Sequence, residues 1–232
     1  GQLVVISGPT GHGKTSLAKT LTAQFLIENE RSVWFSYEMA PIEFTETFPG
    51  EVNFYIPREL TSGQLDWIEQ RIAESLVKHR TSIVFIDHLH FLIDLRALMI
   101  SKNQSILIGI LLRQLKFIAV KYGVLIFLVA HIRKLDLEEE VPTIDDLRDS
   151  SFVGQESDAV ILIWRKAVER SKKQAREGVP KEWKNESRIA LVKNRRTGAL
   201  GEFEVFYDHR TRAFTEVDHT GRSEFGGDSG FA

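Results

Sequence analysis

The feature that most constrains this chain is the stretch GPTGHGKTS, residues 8–16, which satisfies the spacing Gly-x-x-x-x-Gly-Lys-Thr. The short β-branched run QLVVIS, residues 2–7, precedes it, and apolar residues at helical spacing follow it. Glycines at this spacing let backbone N–H groups turn onto phosphate oxygens, and the following helix adds the positive end of its dipole. The sequence therefore predicts a phosphate-binding loop between a first strand and a first helix.

This loop predicts a site for ATP, or another nucleoside triphosphate, together with Mg²⁺. The Lys14 ammonium stands where it reaches the β and γ phosphates, and the Thr15 hydroxyl stands where it ligates the metal. We expect the nucleotide to be bound by Gly8, Pro9, Thr10, Gly11, His12, Gly13, Lys14, Thr15 and Ser16, and by Asp87 beyond the loop.

Three more polar side chains follow buried strands. Asp87 closes SIVFID, Glu38 closes VWFSYE and His131 closes LIFLVAH. Because the carboxyl ends of parallel strands meet beside such a loop, we expect all three to converge on the nucleotide. Asp87 is predicted to hold Mg²⁺ through water, Glu38 to orient or deprotonate the attacking water, and neutral His131 to donate to the γ phosphate. The competing interpretations are a turn-capping Asp, a surface Glu and a satisfied histidine at the sheet edge.

The segment DHLH, residues 87–90, does not predict a dedicated zinc site. Two histidines two residues apart at a strand exit share no helical face, and no third histidine follows nearby. The chain also has no cysteine, so thiolate ligands and disulfides are excluded.

Short apolar runs that alternate with helical segments predict an α/β fold, with a mostly parallel central sheet flanked by helices. Residues 187–217 alternate instead, with turn signals at RTGA and DHRT, and predict antiparallel hairpin strands at the carboxyl-terminal side. Residues 170–185 are highly charged and are expected to form a mobile helix or an insertion.

Charge and length limit the classes of function. The net charge of −2 argues against a blanket polyanion binder but allows a local basic channel. No apolar run reaches the ~18 residues of a membrane span, so we expect no membrane partner. The chain has no starting Met and opens on a strand, so we expect an N-terminally truncated piece of a longer protein.

Five segments together resemble a known family. They are FSYEM (residues 35–39), IDHLHFL (86–92), LRQLKFIAVKYGVLIFLVAHIRK (112–134), DLRDSSFVGQESDAVILIWR (146–165) and VKNRRTGALGEFEVFYDHRTRAF (192–214). They resemble the RecA-like ATPase domain of the replicative hexameric helicases, the group of DnaB, the phage primase-helicases and Twinkle; the last two segments are the specific ones. The resemblance implies a RecA-like P-loop NTPase domain over residues 1–218, with a flexible tail over residues 219–232.

The resemblance also implies roles for individual residues. Glu38 becomes the general base, Asp87 the metal ligand and His131 the phosphate sensor. Arg195 resembles the arginine finger and Lys193 its companion, both inserted into the nucleotide site of a neighbouring subunit. A guanidinium in the basic turn KNRR suits a transferring phosphate, but Arg196 offers the same chemistry, so the choice between the two stays open.

For DNA, the resemblance implies three loops around a central channel: residues 95–103, residues 133–145 and the stretch LRDSSFVGQ. The candidate contacts to single-stranded DNA are Arg96, Lys102, Arg133, Lys134, Arg148, Asp149 and Ser151. Such contacts to the phosphate backbone are independent of base sequence. The acidic run DLEEE, residues 136–140, is unfavourable beside a polyanion unless its side chains face solvent.

The function implied is an ATP-dependent replicative DNA helicase that translocates on single-stranded DNA and unwinds duplex. Its expected partners are identical subunits in a homohexamer and, in some relatives, a primase; its expected location is the bacterial cytoplasm or nucleoid, or the mitochondrial matrix for an organellar protein. The alternative is a RecA-like ATPase without unwinding activity, either recombinase-like or a regulatory ATPase of the KaiC type. A single Glu in YEM and the absence of a duplicated domain favour the helicase.

Overall fold

The computed structural model describes residues 1–47, 52–57, 64–92, 104–131, 141–147, 150–168 and 182–217. The strands of this part of the chain are β1 (Gln2–Gly8), β2 (Ser32–Ser36), β3 (Asn53–Tyr55), β4 (Ile83–Asp87), β5 (Leu125–His131), β6 (Ala159–Ala167), β7 (Trp183–Asn194), β8 (Gly201–Asp208) and β9 (Ala213–Glu216). The α-helices are α1 (Lys14–Ile27), α2 (Pro41–Thr47), α3 (Gln64–His79), α4 (Gln104–Tyr122) and α5 (Ser150–Glu156), and short 3-10 turns lie at Leu89–Leu92 and Ile144–Asp146.

All of these strands join one sheet in the order β3-β2-β4-β5-β1-β6-β7-β8-β9. The strands from β3 to β6 in this order run parallel, and β7, β8 and β9 are each antiparallel to the strand before them. The predicted α/β architecture, with a parallel centre and antiparallel strands at one side, is confirmed.

Helices cover both faces of the parallel strands because successive strand residues point to opposite faces. In β1, Leu3 and Val5 pack in one buried cluster with residues of α3 and α4, such as Ile72 and Leu112. Val4 and Ile6 pack in the other cluster with residues of α1 and α2. This double layer fixes β1 at the centre of the sheet and therefore fixes the loop that leaves it. Among the described helices, none is both long and apolar enough to cross a membrane.

Two sequence predictions are wrong in detail. The resemblance implies a channel loop over LRDSSFVGQ, residues 147–155, but Ser150–Glu156 forms α5, because Val153 is buried and Phe152 packs against α4. A Cβ at Gly109 of α4 would lie 2.4 Å from Cδ1 of Phe152, so this close packing requires glycine. Trp183 falls in the predicted charged insertion but begins β7, since its ring packs against the phosphate-binding loop.

Other predictions fall outside the described residues. These include most of the expected insertion, the greater part of the first two channel loops, and the expected tail, namely residues 169–181, 93–103, 132–140 and 218–232.

Candidate active site

The carboxyl ends of β1, β2, β4 and β5 meet at one edge of the sheet, which we call the nucleotide edge. A cleft of about 500 Å³ opens there. Residues 10–16 line it together with Glu38 and His131. The strand order explains this meeting: β4 and β5 separate β2 from β1, so three strand tips lie beside the phosphate-binding loop.

The loop needs glycine at both of its ends. A Cβ at Gly8 would lie 2.0 Å from the carbonyl oxygen of Ile163 in the neighbouring β6. Gly13 has a φ of 94°, and a Cβ there would lie 2.7 Å from the ring of Phe214. The backbone thus passes where a side chain would clash, and α1 begins directly after it at Lys14.

Lys14 is one of the basic side chains that line this cleft. It is buried, and its Nζ donates to the carbonyl oxygens of Gly8 and Pro9, each at 2.9 Å. Burial lowers the pKa of Lys14 to about 8, and the nearby carboxylates of Asp87 and Glu38 oppose that shift. At neutral pH the side chain therefore remains a cation poised to meet phosphate oxygens.

Thr15 and Asp87 fit a bound Mg²⁺. The Thr15 hydroxyl donates to Oδ2 of Asp87 at 2.7 Å, which brings an alcohol and a carboxylate together at the loop. Asp87 Oδ1 is buried and has no hydrogen-bond partner among the described residues. Burial raises the pKa of Asp87 to about 6, the Thr15 hydrogen bond opposes the shift, and Glu38 adds to it. Oxygen ligands of this kind are those that Mg²⁺ prefers.

Glu38 follows the end of β2 and lies at the nucleotide edge, near Asp87. Ser36 pairs with Asp87 across β2 and β4, and Glu38 lies two residues further on. Its side chain is 52% exposed, and its Oε2 lies 3.4 Å from Nδ1 of His88. The carboxylate therefore stands at the mouth of the cleft, accessible to water.

Histidine rings gather behind this carboxylate. The centroid of the His88 ring lies 4.5 Å from that of His131 and 5.4 Å from that of His90. Burial lowers the pKa of both His88 and His131 to about 4, and Lys14 adds to the shift in each case. His131 is thus neutral at pH 7, as the sequence interpretation requires.

His12 has a structural contact that the loop motif does not indicate. It is buried, and its Nδ1 accepts a hydrogen bond of 3.0 Å from the backbone N–H of Arg165 in β6. Its ring meets that of Trp183 edge-on, with the centroids 4.4 Å apart. Burial lowers the pKa of His12 to about 4, so the proton of the neutral ring is on Nε2. The sequence alone does not indicate the contacts of His12 with Arg165 and Trp183, because position 12 is a variable position in the loop pattern.

The basic turn KNRR joins β7 to β8. It lies at the opposite end of the strands from the nucleotide edge, and we call this end the hairpin edge. There the end of β7 pairs with the start of β6, where Asn194 faces Ala159. Lys193 Nζ donates to the carbonyl oxygens of Gly154 and Ser157 at the end of α5. Arg195 is exposed, and its guanidinium donates to the carbonyl oxygen of Gln155. Within the described part of the chain, neither Lys193 nor Arg195 lines the cleft.

The remaining basic candidate, Arg196, is also exposed, and its backbone N–H bonds to Oδ1 of Asn194. Of the candidate DNA contacts, Ser151 is exposed in the first turn of α5. The others, Arg96, Lys102, Arg133, Lys134, Arg148 and Asp149, lie outside the described residues.

Comparison with known families assigns the chain to one of them. Residues 50–216 match the family model of the DnaB-like helicase C-terminal domain. This chain belongs to the DnaB-like helicase C-terminal domain family. The matched range contains β3 through β9, and thus the strand tips of β4 and β5 as well as the hairpin edge.

Curated relatives agree with the DnaB-like assignment. The replicative DNA helicase DnaB of Rickettsia bellii is 25% identical, over 93% of this chain and 54% of its own length. That of Rickettsia felis is 26% identical, over 72% of this chain and 35% of its own length. The chain thus spans about half of the first of these relatives, and less of the second.

Solved structures match the fold as well. A solved ATPase domain superposes with a TM-score of 0.71 at 17% identity, over 94% of this chain and 85% of that one. A DnaB-like replicative helicase, studied with its primase interactions, gives a TM-score of 0.71 at 17% identity, over 94% of this chain and 57% of that one. At this identity the likeness supports the RecA-like fold alone.

Proposed function

We propose that this DnaB-like domain is the motor of a replicative DNA helicase, which hydrolyses ATP between subunits to translocate on single-stranded DNA and unwind duplex. The observation that carries the proposal is the separation of the candidate catalytic groups. Lys14, Thr15, Asp87 and Glu38 converge at the nucleotide edge, whereas Arg195 lies at the hairpin edge. The family assignment favours a helicase over a recombinase-like or KaiC-type ATPase.

The nucleotide edge binds and orients the triphosphate. Backbone N–H groups of the loop and the start of α1 face the phosphates, and the Lys14 ammonium balances their charge. Thr15 and Asp87 would hold Mg²⁺, which would neutralise charge on the phosphates. Because the chain fixes these groups beforehand, little reorganisation is needed during the reaction.

Glu38 activates the water. Its carboxylate is exposed at the mouth of the cleft, so water reaches it, and it accepts a proton as the water attacks. His131 is neutral and lies in the same cleft, where its ring N–H donates to the terminal phosphate. The centroid of this ring lies 4.5 Å from that of His88, which directly follows β4.

A neighbouring subunit supplies the remaining charge. Arg195 is exposed on a turn, and its guanidinium is permanently cationic, so it suits phosphate in the transition state. Lys193, whose ammonium donates to carbonyl oxygens at the end of α5, is proposed as its companion in the neighbouring site. Repeating this contact head to tail closes a ring, and we propose a homohexamer around single-stranded DNA. A primase partner and a location in the bacterial cytoplasm or nucleoid belong to the same proposal, since the matched relatives are bacterial replicative helicases.

A subunit-mixing experiment tests the shared site. Glu38→Gln subunits keep the hairpin arginine, and Arg195→Ala subunits keep the general base. Each variant alone should lose ATP hydrolysis stimulated by single-stranded DNA. In an equal mixture, roughly one quarter of the interfaces combine an intact cleft with an intact arginine, so activity should return.

Arg196→Ala is the matched control, because Arg196 is a neighbouring exposed arginine on the same turn. It should leave hydrolysis close to that of the unaltered protein. If Arg196→Ala is inactive and Arg195→Ala is not, the finger is Arg196. If mixtures of the two inactive variants remain inactive, the arginine does not act across the interface and the proposal fails.

A further inference from the structure

Three potential metal ligands meet behind the mouth of the cleft. One ligand atom each from Glu38, Asp87 and His88 lies within 4.8 Å of the other two. The sequence segment DHLH does not predict this site, because its third ligand comes from a different strand. The pairing of β2 with β4 brings Glu38 to the end of β4.

One pair of these ligand atoms has the spacing of two ligands on one metal ion. Two ligands ~2.05 Å from a tetrahedral zinc ion lie ~3.3 Å apart. His88 Nδ1 and Glu38 Oε2 lie 3.4 Å apart. The pair is thus already at the separation that a shared zinc ion would impose.

Two of the ligand groups have unused polar atoms. Asp87 is 1% exposed and His88 is 8% exposed. Asp87 Oδ1 and His88 Nδ1 lack hydrogen-bond partners among the described residues. Most buried polar atoms in proteins are paired. A magnesium ion at Thr15 and Asp87 accounts for Asp87 Oδ1 but not for His88 Nδ1, so the histidine nitrogen indicates a further ligand.

We propose that Glu38, Asp87 and His88 bind a transition-metal dication of the zinc class. An imidazole nitrogen suits Zn²⁺ or Co²⁺, whereas Mg²⁺ favours oxygen ligands such as those of Thr15 and Asp87. This site shares Asp87 with the magnesium position but differs from it in its other ligands, Glu38 and His88 in place of Thr15. Glu38 is half exposed, which leaves a path for the ion to enter.

The consequence for catalysis rests on the proposed function. An ion held by Glu38 occupies the carboxylate oxygens that would otherwise accept a proton from water. Zinc should therefore inhibit ATP hydrolysis even when Mg²⁺ is saturating. Metal binding itself requires neither nucleotide nor hydrolysis, so the two claims can be tested separately.

Cobalt binding provides the direct test. The chelator-treated full chain, without nucleotide and in a large excess of Mg²⁺, is titrated with Co²⁺ while its visible absorption is recorded. We expect one equivalent of Co²⁺ to give the d–d bands of a low-coordinate site, and Zn²⁺ to abolish them. Replacing a direct ligand should cost at least ~10-fold in affinity, so His88→Ala and Glu38→Gln should both weaken binding.

His79→Ala is the matched control, because His79 ends α3 and is not one of the three ligands. It should bind Co²⁺ as the unaltered chain does. Glu38→Gln alters an accessible side chain, so it keeps the test decisive if His88→Ala does not fold. The metal site is wrong if one equivalent of Co²⁺ gives no d–d bands. It is also wrong if the bands are unchanged in both His88→Ala and Glu38→Gln. Intact cobalt binding in a chain that does not hydrolyse ATP would instead refute the proposed function alone.

Discussion

Lys14 and Asp87 at the nucleotide edge differ in burial from Arg195 at the hairpin edge. At the nucleotide edge, Lys14 and Asp87 are buried, and both have pKa values shifted by burial. At the hairpin edge, the guanidinium of Arg195 is exposed and contacts only a backbone carbonyl among the described residues. The first edge is built to hold a ligand in its own chain, whereas the second presents a cation outward.

This difference suggests that the two edges have different roles in ATP hydrolysis. A buried, desolvated site fixes geometry before the substrate arrives, which favours binding and positioning. An exposed cation on a turn contributes only after another surface covers it, which makes hydrolysis depend on assembly. Under the proposed function, changes at the nucleotide edge should act in every chain, and changes at the hairpin edge should act only in assemblies.

The largest expected effect at the nucleotide edge comes from Glu38→Gln. Loss of a general base should lower turnover by ~10²–10⁴ while nucleotide affinity stays nearly constant, because the loop is untouched. Steady-state hydrolysis and binding of a fluorescent ATP analogue measure the two quantities. If affinity falls with turnover, Glu38 has a structural role instead.

A smaller effect should follow His12→Ala. The change leaves the backbone N–H of Arg165 unpaired and removes the ring that packs on Trp183. We expect the free energy of unfolding to fall by about 1–2 kcal/mol, and nucleotide affinity to fall ~10-fold as the loop loosens. Thermal or denaturant unfolding and an ATP-binding titration measure these effects.

His12→Asn is the matched variant, because its side-chain oxygen can accept the same hydrogen bond. It should recover most of the affinity for ATP without restoring the aromatic contact. Equal losses in the Ala and Asn variants would show that the ring contact, and not the hydrogen bond, holds the loop.

The last prediction concerns pH, where the effect over one pH unit is no larger than that of His12→Ala. The pKa of Lys14 is lowered to about 8 by burial, and bound phosphates should raise it again. Above pH 8, ATP binding should therefore take up a proton, and affinity should fall by up to ~10-fold per pH unit. Calorimetry in two buffers of different ionisation enthalpy measures the uptake. Lys14→Arg should lose the uptake, since arginine stays charged.

Local patterns were sufficient for much of the nucleotide edge. The loop, its flanking strand and helix, and the acid at the end of β4 follow from short-range spacing and apolar runs. The antiparallel hairpin was also predictable from alternation and turn signals. The catalytic and DNA-binding roles of individual residues stay predictions, including the choice between Arg195 and Arg196.

Tertiary contacts account for what local patterns missed. Glu38 lies close to His88 because β2 pairs with β4. An apolar run in the sequence does not show which other strand it pairs with. Trp183 lies in a charged context that suggests an insertion, yet its packing on His12 places it in the sheet. α5 is too short to show a clear helical period and is stabilised mainly by its packing on α4.

Strand β7 has a consequence for assembly. It is 12 residues long and begins with Trp183, which packs on the phosphate-binding loop of its own chain. It ends at Asn194, next to the arginine offered to a neighbour. At ~3.4 Å per residue the strand spans roughly 37 Å. In the proposed ring, each β7 would connect the ATP site of its own subunit to that of the neighbouring subunit, so that a displacement at one site is transmitted to the next through the sheet.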